Sequence, residues 1–166
     1  MENFYQESGR AGRDGKKSAC IVLYRLPDVF KLSTMVFQDK VGLQNLYRMV
    51  AYCLDQSSCR RSLIATHFEE TWTRSDCAEM CDHCRKFKEN AWYGKGATTL
   101  RVASVPTPKF TRESGEAIVG HLLVTGYLQE DFHFSAYSTI SYLKRGPKAV
   151  LALGNKHEIL FNYELH

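Results

Sequence analysis

The chain has no run of about 18 apolar residues, so nothing in it predicts a membrane-spanning helix. Its start, MENFYQESGR, is polar and lacks the apolar stretch of a secretory signal. An intracellular, reducing compartment is the resulting expectation, with no membrane partner. Internal repeats and low-complexity tracts are also missing, which removes solenoids and biased linkers from the candidates.

A strong charge of one sign is lacking too. Net charge is +4 and the sequence pI is about 8.7. Residues 1–88 hold 14 Lys+Arg against 11 Asp+Glu, and residues 89–166 hold 8 against 7. A pI above about 9 is the usual footprint of a nucleic-acid domain. This balance permits phosphate binding without indicating it, so any DNA contact must rest on particular residues.

What is present suits one modest domain or two small ones: 166 residues, 44% hydrophobic and 24% charged. Residues 4–15, FYQESGRAGRDG, read as a polar loop rich in glycine and arginine. Ser18–Tyr24, SACIVLY, is a short apolar run with branched residues and reads as a buried strand. Pro27 and Asp28 open a helix with Val29, Phe30, Leu32, Met35 and Val36 at helical spacing. A second helix covers roughly 42–54, with Leu43, Leu46, Tyr47, Val50 and Leu54 on one stripe, and a third lies near 59–68. Residues 85–97 are the expected boundary, and the two prolines of Val105–Pro108 break regular structure. Thr111 caps a helix running to about Thr125, with Ile118, Val119, Leu122 and Leu123 inward and Gly126 as the stop. Tyr127–Phe134 and Thr139–Lys144 read as two strands joined at Ser135–Ser138.

Six cysteines in a reducing compartment point to metal or catalysis before disulfides. Cys59, Cys77, Cys81 and Cys84 form C-x17-C-x3-C-x2-C. Zinc takes four soft ligands at tetrahedral corners; a close pair supplies two from one turn and distant residues close the shell. Arg60, Arg61, Arg85 and Lys86 flank the ligands and could offset the negative charge of a tetrathiolate site. Four free structural thiols, or disulfides, are the competing readings, and His67 and His83 are alternative ligands. Cys20, in the expected strand, and Cys53, on the second helix, read as small buried hydrophobes. The zinc is structural in this reading, since no open coordination position or adjacent general base is evident.

Gln6-Glu7-Ser8-Gly9-Arg10-Ala11-Gly12-Arg13-Asp14-Gly15 resembles the last helicase motif of superfamily 2 enzymes in its RecQ form. LYRLPDVFKLSTMV, NLYRMVAYCLD, CRRSLIATHFEETW and MCDHC are similar to the RecQ zinc-binding subdomain. GKGATTLRVA and FHFSAYSTISYLKRGPKA resemble the winged-helix region of the type-one RecQ-like branch of animals. The resemblance implies the C-terminal part, a fragment or isoform, of an ATP-dependent 3′-to-5′ DNA helicase. It implies an α+β, multidomain fold: residues 1–26 as the end of a second RecA-like motor domain, 27–88 as the zinc-binding subdomain, and 89–166 as a partial winged helix with a β-hairpin.

By the same resemblance Arg13 is the arginine finger, Arg10 a nucleotide-contacting partner, Gln6 a supporting polar residue, and Asp14 orients the loop. The physical logic is that two fixed guanidiniums clamp phosphate oxygens and stabilise charge developing on a transferred γ-phosphate. Tyr137 is implied as the strand-separating residue at the hairpin tip; from the residues alone it folds back on the hairpin. Lys95, Arg101, Lys144, Arg145 and Lys148 are the candidates for DNA backbone contact, or else plain surface charges. Phe132, Phe134 and Tyr142 read as packing. Duplex, forked or single-stranded DNA, a second copy of the chain, and a nuclear location with roles in DNA repair and recombination complete what the resemblance implies.

Two departures stand out. The chain has no G-x-x-x-x-G-K-[ST] loop, Gly94-Lys95-Gly96 being too short, and no acidic box for magnesium. ATP and Mg2+ are therefore expected only together with motor domains, and this chain alone is expected to be inactive. Between Lys88 and Trp92 the family carries about thirty more residues, including the first winged-helix helix.

Overall fold

A computed structural model describes residues 1–85, 99–100, 111–153 and 157–162. In chain order the elements are α1 (Glu2–Ser8), α2 (Leu26–Val36), α3 (Lys40–Leu54), α4 (Arg60–His67), a 3-10 turn (Ser75–Cys77), β1 (Thr99–Leu100), α5 (Arg112–Thr125), β2 (Leu128–Phe134), β3 (Thr139–Arg145), α6 (Ala149–Ala152) and β4 (Phe161–Asn162). They form two compact units, Met1–Leu23 with Asp55–Lys95, and Tyr24–Leu54 with Gly96–His166. No described helix is long and apolar enough to cross a membrane.

The second unit has a helical core. Pro27 and Asp28 sit in the first turn of α2, where a missing N–H and an acidic charge are both favourable. Arg25 holds Asp28 from the extended N-cap position, with nitrogens 3.2 and 3.3 Å from its carboxylate oxygens. Leu26, Val29 and Ser33 form the buried face of α2. Of the residues at helical spacing, Leu32 and Met35 are exposed. Leu26 and Val29 pack with Val50 of α3 and Leu123 of α5, and Leu46, Tyr47, Leu54 and Val119 close around them. Close approach of α3 and α5 needs Gly120, where a Cβ would stand 3.0 Å from a Leu54 methyl and from the Tyr24 hydroxyl.

Both expected ends of α5 are found. Thr111 Oγ1 accepts the Ser114 N–H at 3.2 Å, and Gly126 stops the helix in the left-handed region at φ 83°. The chain then enters an antiparallel hairpin whose register pairs Leu128 with Arg145 and Phe134 with Thr139. Opposite residues share a face, so Leu128, Glu130, Phe132 and Phe134 lie with Leu143, Ser141 and Thr139. Phe37, after α2, meets Phe132 and Phe134 at 4.8 and 5.0 Å between ring centres. In the tail, where no motif was legible, Phe161–Asn162 pairs antiparallel with Thr99–Leu100.

Gly146 ends the hairpin against the backbone of Gly126. A Cβ there would lie 2.9 Å from the Gly126 carbonyl carbon, and backbone cannot swing aside as a side chain does. Gly146→Ala is expected to cost about 1–3 kcal/mol, the usual range for overpacking. Thermal melting should fall accordingly with zinc content unchanged; an unaltered melting temperature would contradict this packing.

The first unit holds the amino-terminal segment and the cysteines. Phe4–Ser8, expected as loop, continues the helix α1, and turns follow from Gly9. Ser18–Tyr24 is not a buried strand. It has no regular structure, Leu23 is 92% exposed, and Ile21 and Cys20 are exposed as well. A strand needs a neighbour for its backbone groups, and no described strand pairs with this run. The expectation that Cys20 is a buried hydrophobe fails with it, whereas Cys53 is half-buried on α3.

Candidate functional site

Four thiols converge in the first unit. Cys59 stands at the N-terminus of α4, Cys77 closes the 3-10 turn, Cys81 precedes a helical turn at 82–85, and Cys84 lies within that turn. Their sulfurs all lie within 4.8 Å of one another, with Cys59 and Cys81 at 4.0 Å. Tetrahedral zinc with bonds of about 2.3 Å sets its sulfurs about 3.8 Å apart, so the donor set fits the ion in number, chemistry and spacing. Cys59, Cys77 and Cys84 are buried, which suits a closed structural site.

Local backbone explains how the sequence builds this knot. Cys59 is buried, which raises a thiol's pKa. The N–H groups of Ser62 and Arg61 at the start of α4, with the Cys84 thiol and the Ser62 hydroxyl, outweigh that and draw Cys59 down to about 7. Burial pushes Cys84 up, and the crowding thiols of Cys81, Cys59 and Cys77 push it further. Burial is also the main reason that Cys77 is raised. The Cys84 N–H donates to Cys81 Sγ at 3.3 Å. Between Cys77 and Cys81, Ala78 and Glu79 both adopt left-handed backbone at φ 48° and 58°. Two successive non-glycine residues in that region need surroundings that impose them, and a metal shell is such a constraint.

The two histidines face elsewhere. His83 is buried with Nδ1 2.6 Å from the Ser58 carbonyl oxygen, and His67 Nε2 lies 2.8 Å from Glu2 Oε1. Neither belongs to the four-thiol group. The flanking arginines are engaged with other partners: Arg60 with Asp82 at 3.2 Å, Arg61 over the Trp72 ring at 5.6 Å, and Arg85 with the Met80 carbonyl at 3.4 Å. Lys86 lies outside the described residues.

The arginine loop follows α1 in the same unit. The Glu2–His67 contact and the Tyr5–Phe68 ring pair at 5.0 Å tie α1 to α4 and its end. Glu2 is held down to about 2 by its own backbone N–H and then by His67. No sequence signal pointed to this clip, which joins residues 65 positions apart. Gln6 and Arg10 are exposed, and Arg10 bridges Glu7 at 3.3 Å. Arg13 is exposed with no ion-pair partner among the described residues. Asp14 Oδ1 accepts the Lys16 N–H at 3.2 Å. Gly12 has φ 73°, and a Cβ there would meet Ser18 Oγ at 2.8 Å, so this turn needs glycine.

In the second unit Tyr137 is 99% exposed at the hairpin tip, which overturns the fold-back reading. The turn beneath it is held by Ser135, whose Oγ accepts the Ser138 N–H at 3.0 Å and whose N–H donates to the Ser138 carbonyl at 2.9 Å. Lys144 pairs with Asp131 at 3.0 Å, and Tyr142 donates to the same carboxylate at 3.3 Å. Lys144 first among its neighbours holds Asp131 below the usual carboxylate range. Arg145 and Lys148 are exposed. Tyr137 and Lys144 stand at opposite ends of the hairpin, and Lys95 and Arg101 lie outside the described residues. The sequence reading missed Glu130, a buried carboxylate on β2; an acidic residue at an inward position of LQEDFHF was the available signal.

Residues 26–85 match the RecQ zinc-binding family, and this span includes all four clustered cysteines. The chain is 45% identical to the ATP-dependent DNA helicase Q1 of Mus musculus over 96% of its own length and 30% of that protein. The chain belongs to the RecQ family. The ATP-dependent DNA helicase Q-like 2 of Arabidopsis thaliana is 37% identical over 90% of the chain and 24% of the relative. The ATP-dependent helicase SGS1 of Saccharomyces cerevisiae is 38% identical over 51% of the chain and 6% of the relative.

The chain thus spans under a third of the RecQ relatives it matches. The mouse alignment runs over 192 positions against 166 residues here, so at least 26 of its positions lack a counterpart in this chain. The expected missing stretch between Lys88 and Trp92 lies outside the described residues.

Proposed function

We propose that this chain is the DNA-gripping and strand-splitting portion of an ATP-dependent 3′-to-5′ DNA helicase acting on nuclear DNA. The observation that carries the reading is the projection of Tyr137, 99% exposed, from a hairpin in a chain related to DNA helicases. A single exposed aromatic is ordinary on a protein surface, so the weight rests on its place at a hairpin tip together with the kinship to DNA helicases. An aromatic face offers a stacking platform for the last base pair of a fork. Such stacking is worth about 1–3 kcal/mol per base, comparable to the DNA stacking of about 1.4 kcal/mol per step that is lost.

In this reading a motor pulls one strand while the hairpin stands at the junction. Lys144 and Lys148, with Lys95 and Arg101, hold backbone phosphates; Lys144 exchanges Asp131 for phosphate, a small cost for an exposed ion pair. When bound, zinc supplies cross-linking of the four thiolates and no chemistry on DNA. Arg13 reaches a nucleotide phosphate held by motor domains. The chain has no phosphate-cradling loop, so no other role in ATP hydrolysis is assigned to its residues.

Tyr137→Ala tests the reading. A forked duplex with 2-aminopurine at its terminal pair should brighten on binding the unaltered chain. In the variant that opening should fall about tenfold, the effect of about 1.4 kcal/mol of stacking, while the melting temperature stays unchanged. Equal, weak binding of forked and single-stranded DNA by both forms would replace this reading with a non-catalytic, zinc-stabilised interaction module.

A further inference from the structure

Glu130 is a carboxylate with 4% exposure, and no cation pairs with it among the described residues. Three hydroxyls donate to it instead: Ser33 of α2 to Oε1 at 2.6 Å, Ser141 of β3 to Oε1 at 2.5 Å, and Tyr47 of α3 to Oε2 at 2.5 Å. Both carboxylate oxygens can accept, so three rotatable donors from three elements suit them. Burial and the carboxylate push the Tyr47 phenol well above its ordinary range, which keeps it a donor.

An apolar residue at this place would bury area without choosing a register. Glu130 does choose one. Sliding β2 by a single residue would turn Glu130 to the opposite face, strand the carboxylate and take the acceptor away from Tyr47 and Ser141, leaving Ser33 Oγ only the Phe30 carbonyl at 2.9 Å. The carboxylate lies on the same face as Phe132 and Phe134, which meet Phe37 nearer the tip. Helices α2 and α3 thus grip the hairpin at a polar point and an aromatic point on one line.

We propose that Glu130 is a positioning residue that locks the hairpin to α2 and α3 and so sets where Tyr137 stands. The proposal rests on the reading of the hairpin as strand splitter. It adds that reading's structural requirement: a loosened root misplaces the tip without touching DNA itself.

The test uses the zinc-loaded chain with Glu130→Gln, Tyr47→Phe, Tyr137→Ala and the Glu130→Gln/Tyr137→Ala pair. Tyr47→Phe removes one donor and keeps the ring, so it serves even where Glu130→Gln folds poorly. Hydrogen exchange of amides in 128–134 and 139–145 should quicken about tenfold in either single root variant, as expected for losing one hydrogen bond to a charged group. Opening of the 2-aminopurine fork should fall about fivefold or more, with forked-DNA affinity held within about twofold because the phosphate contacts remain. The double variant should open forks no worse than Tyr137→Ala, because both act through the same tip. Unchanged exchange in both root variants overturns the proposal. So does faster exchange with unimpaired opening where Tyr137→Ala abolishes it. Full opening by Tyr137→Ala instead brings down the strand-splitting reading, and the positioning role with it.

Discussion

Cys84→Ser is expected to strip the chain of stoichiometric zinc and unfold the unit formed by Met1–Leu23 and Asp55–Lys95. Structural zinc contributes on the order of 10–16 kcal/mol in small metal-dependent folds, more than a small domain's whole net stability. This unit has little to substitute for it. Its buried cluster is Cys59, Cys77 and Cys84, with Trp72 and Cys81 against them. The other unit has an apolar core from Leu26, Val29, Val50 and Leu123 and needs no ion to form it. Exchange at Arg60–His67 should therefore rise to unprotected rates while α5 stays protected. Retained zinc with native exchange in that variant would be the contrary result.

Acid should do the same by proton competition. Zinc binds thiolates, whereas burial and the neighbouring thiols favour the protonated forms of Cys77 and Cys84 where they are gathered without the ion, and an unfolded chain holds its thiols protonated at neutral pH. Binding then releases their protons, so affinity rises with pH and falls as pH drops. Cys59, drawn down to about 7, is the thiolate nearest to hand at neutral pH. A chelator that removes little zinc at pH 8 should remove most at pH 6, by about two protons' worth of competition.

The second large effect concerns Arg13. Joined to a RecQ motor, Arg13→Ala is expected to lower DNA-stimulated ATP hydrolysis by about 10^3-fold or more, the range for an arginine finger. KM for ATP should move far less, since the guanidinium acts on charge that grows in the transition state. Arg13→Lys should not rescue, because an ammonium lacks the planar fork. Arg10, bridged to Glu7, should matter less. Undiminished turnover in Arg13→Ala would reject the assignment.

What was legible in the sequence is what local chemistry determines. Thr111 and Gly126 mark α5 because a cap and a left-handed stop are short-range demands, and the hairpin shows in its alternation. The four cysteines show in their spacing, and their thiols converge as that spacing suggested. Ser18–Tyr24 was misread because an apolar run looks the same whether or not a neighbouring strand exists. On α2 the apolar spacing of Val29, Phe30, Leu32, Met35 and Val36 gave the helix but not which of them face inward, because helical spacing carries a period without a centre. Glu130 and the Glu2–His67 clip depend on partners 97 and 65 residues away, which no window of sequence reveals.

X-ray absorption at the zinc edge of the metal-loaded chain tests the central claim most directly. Four sulfur neighbours at about 2.3 Å, one zinc per chain, and no nitrogen scatterer are the predicted result. A shell with histidine nitrogen or oxygen in place of any sulfur, or zinc well below one per chain, would contradict it.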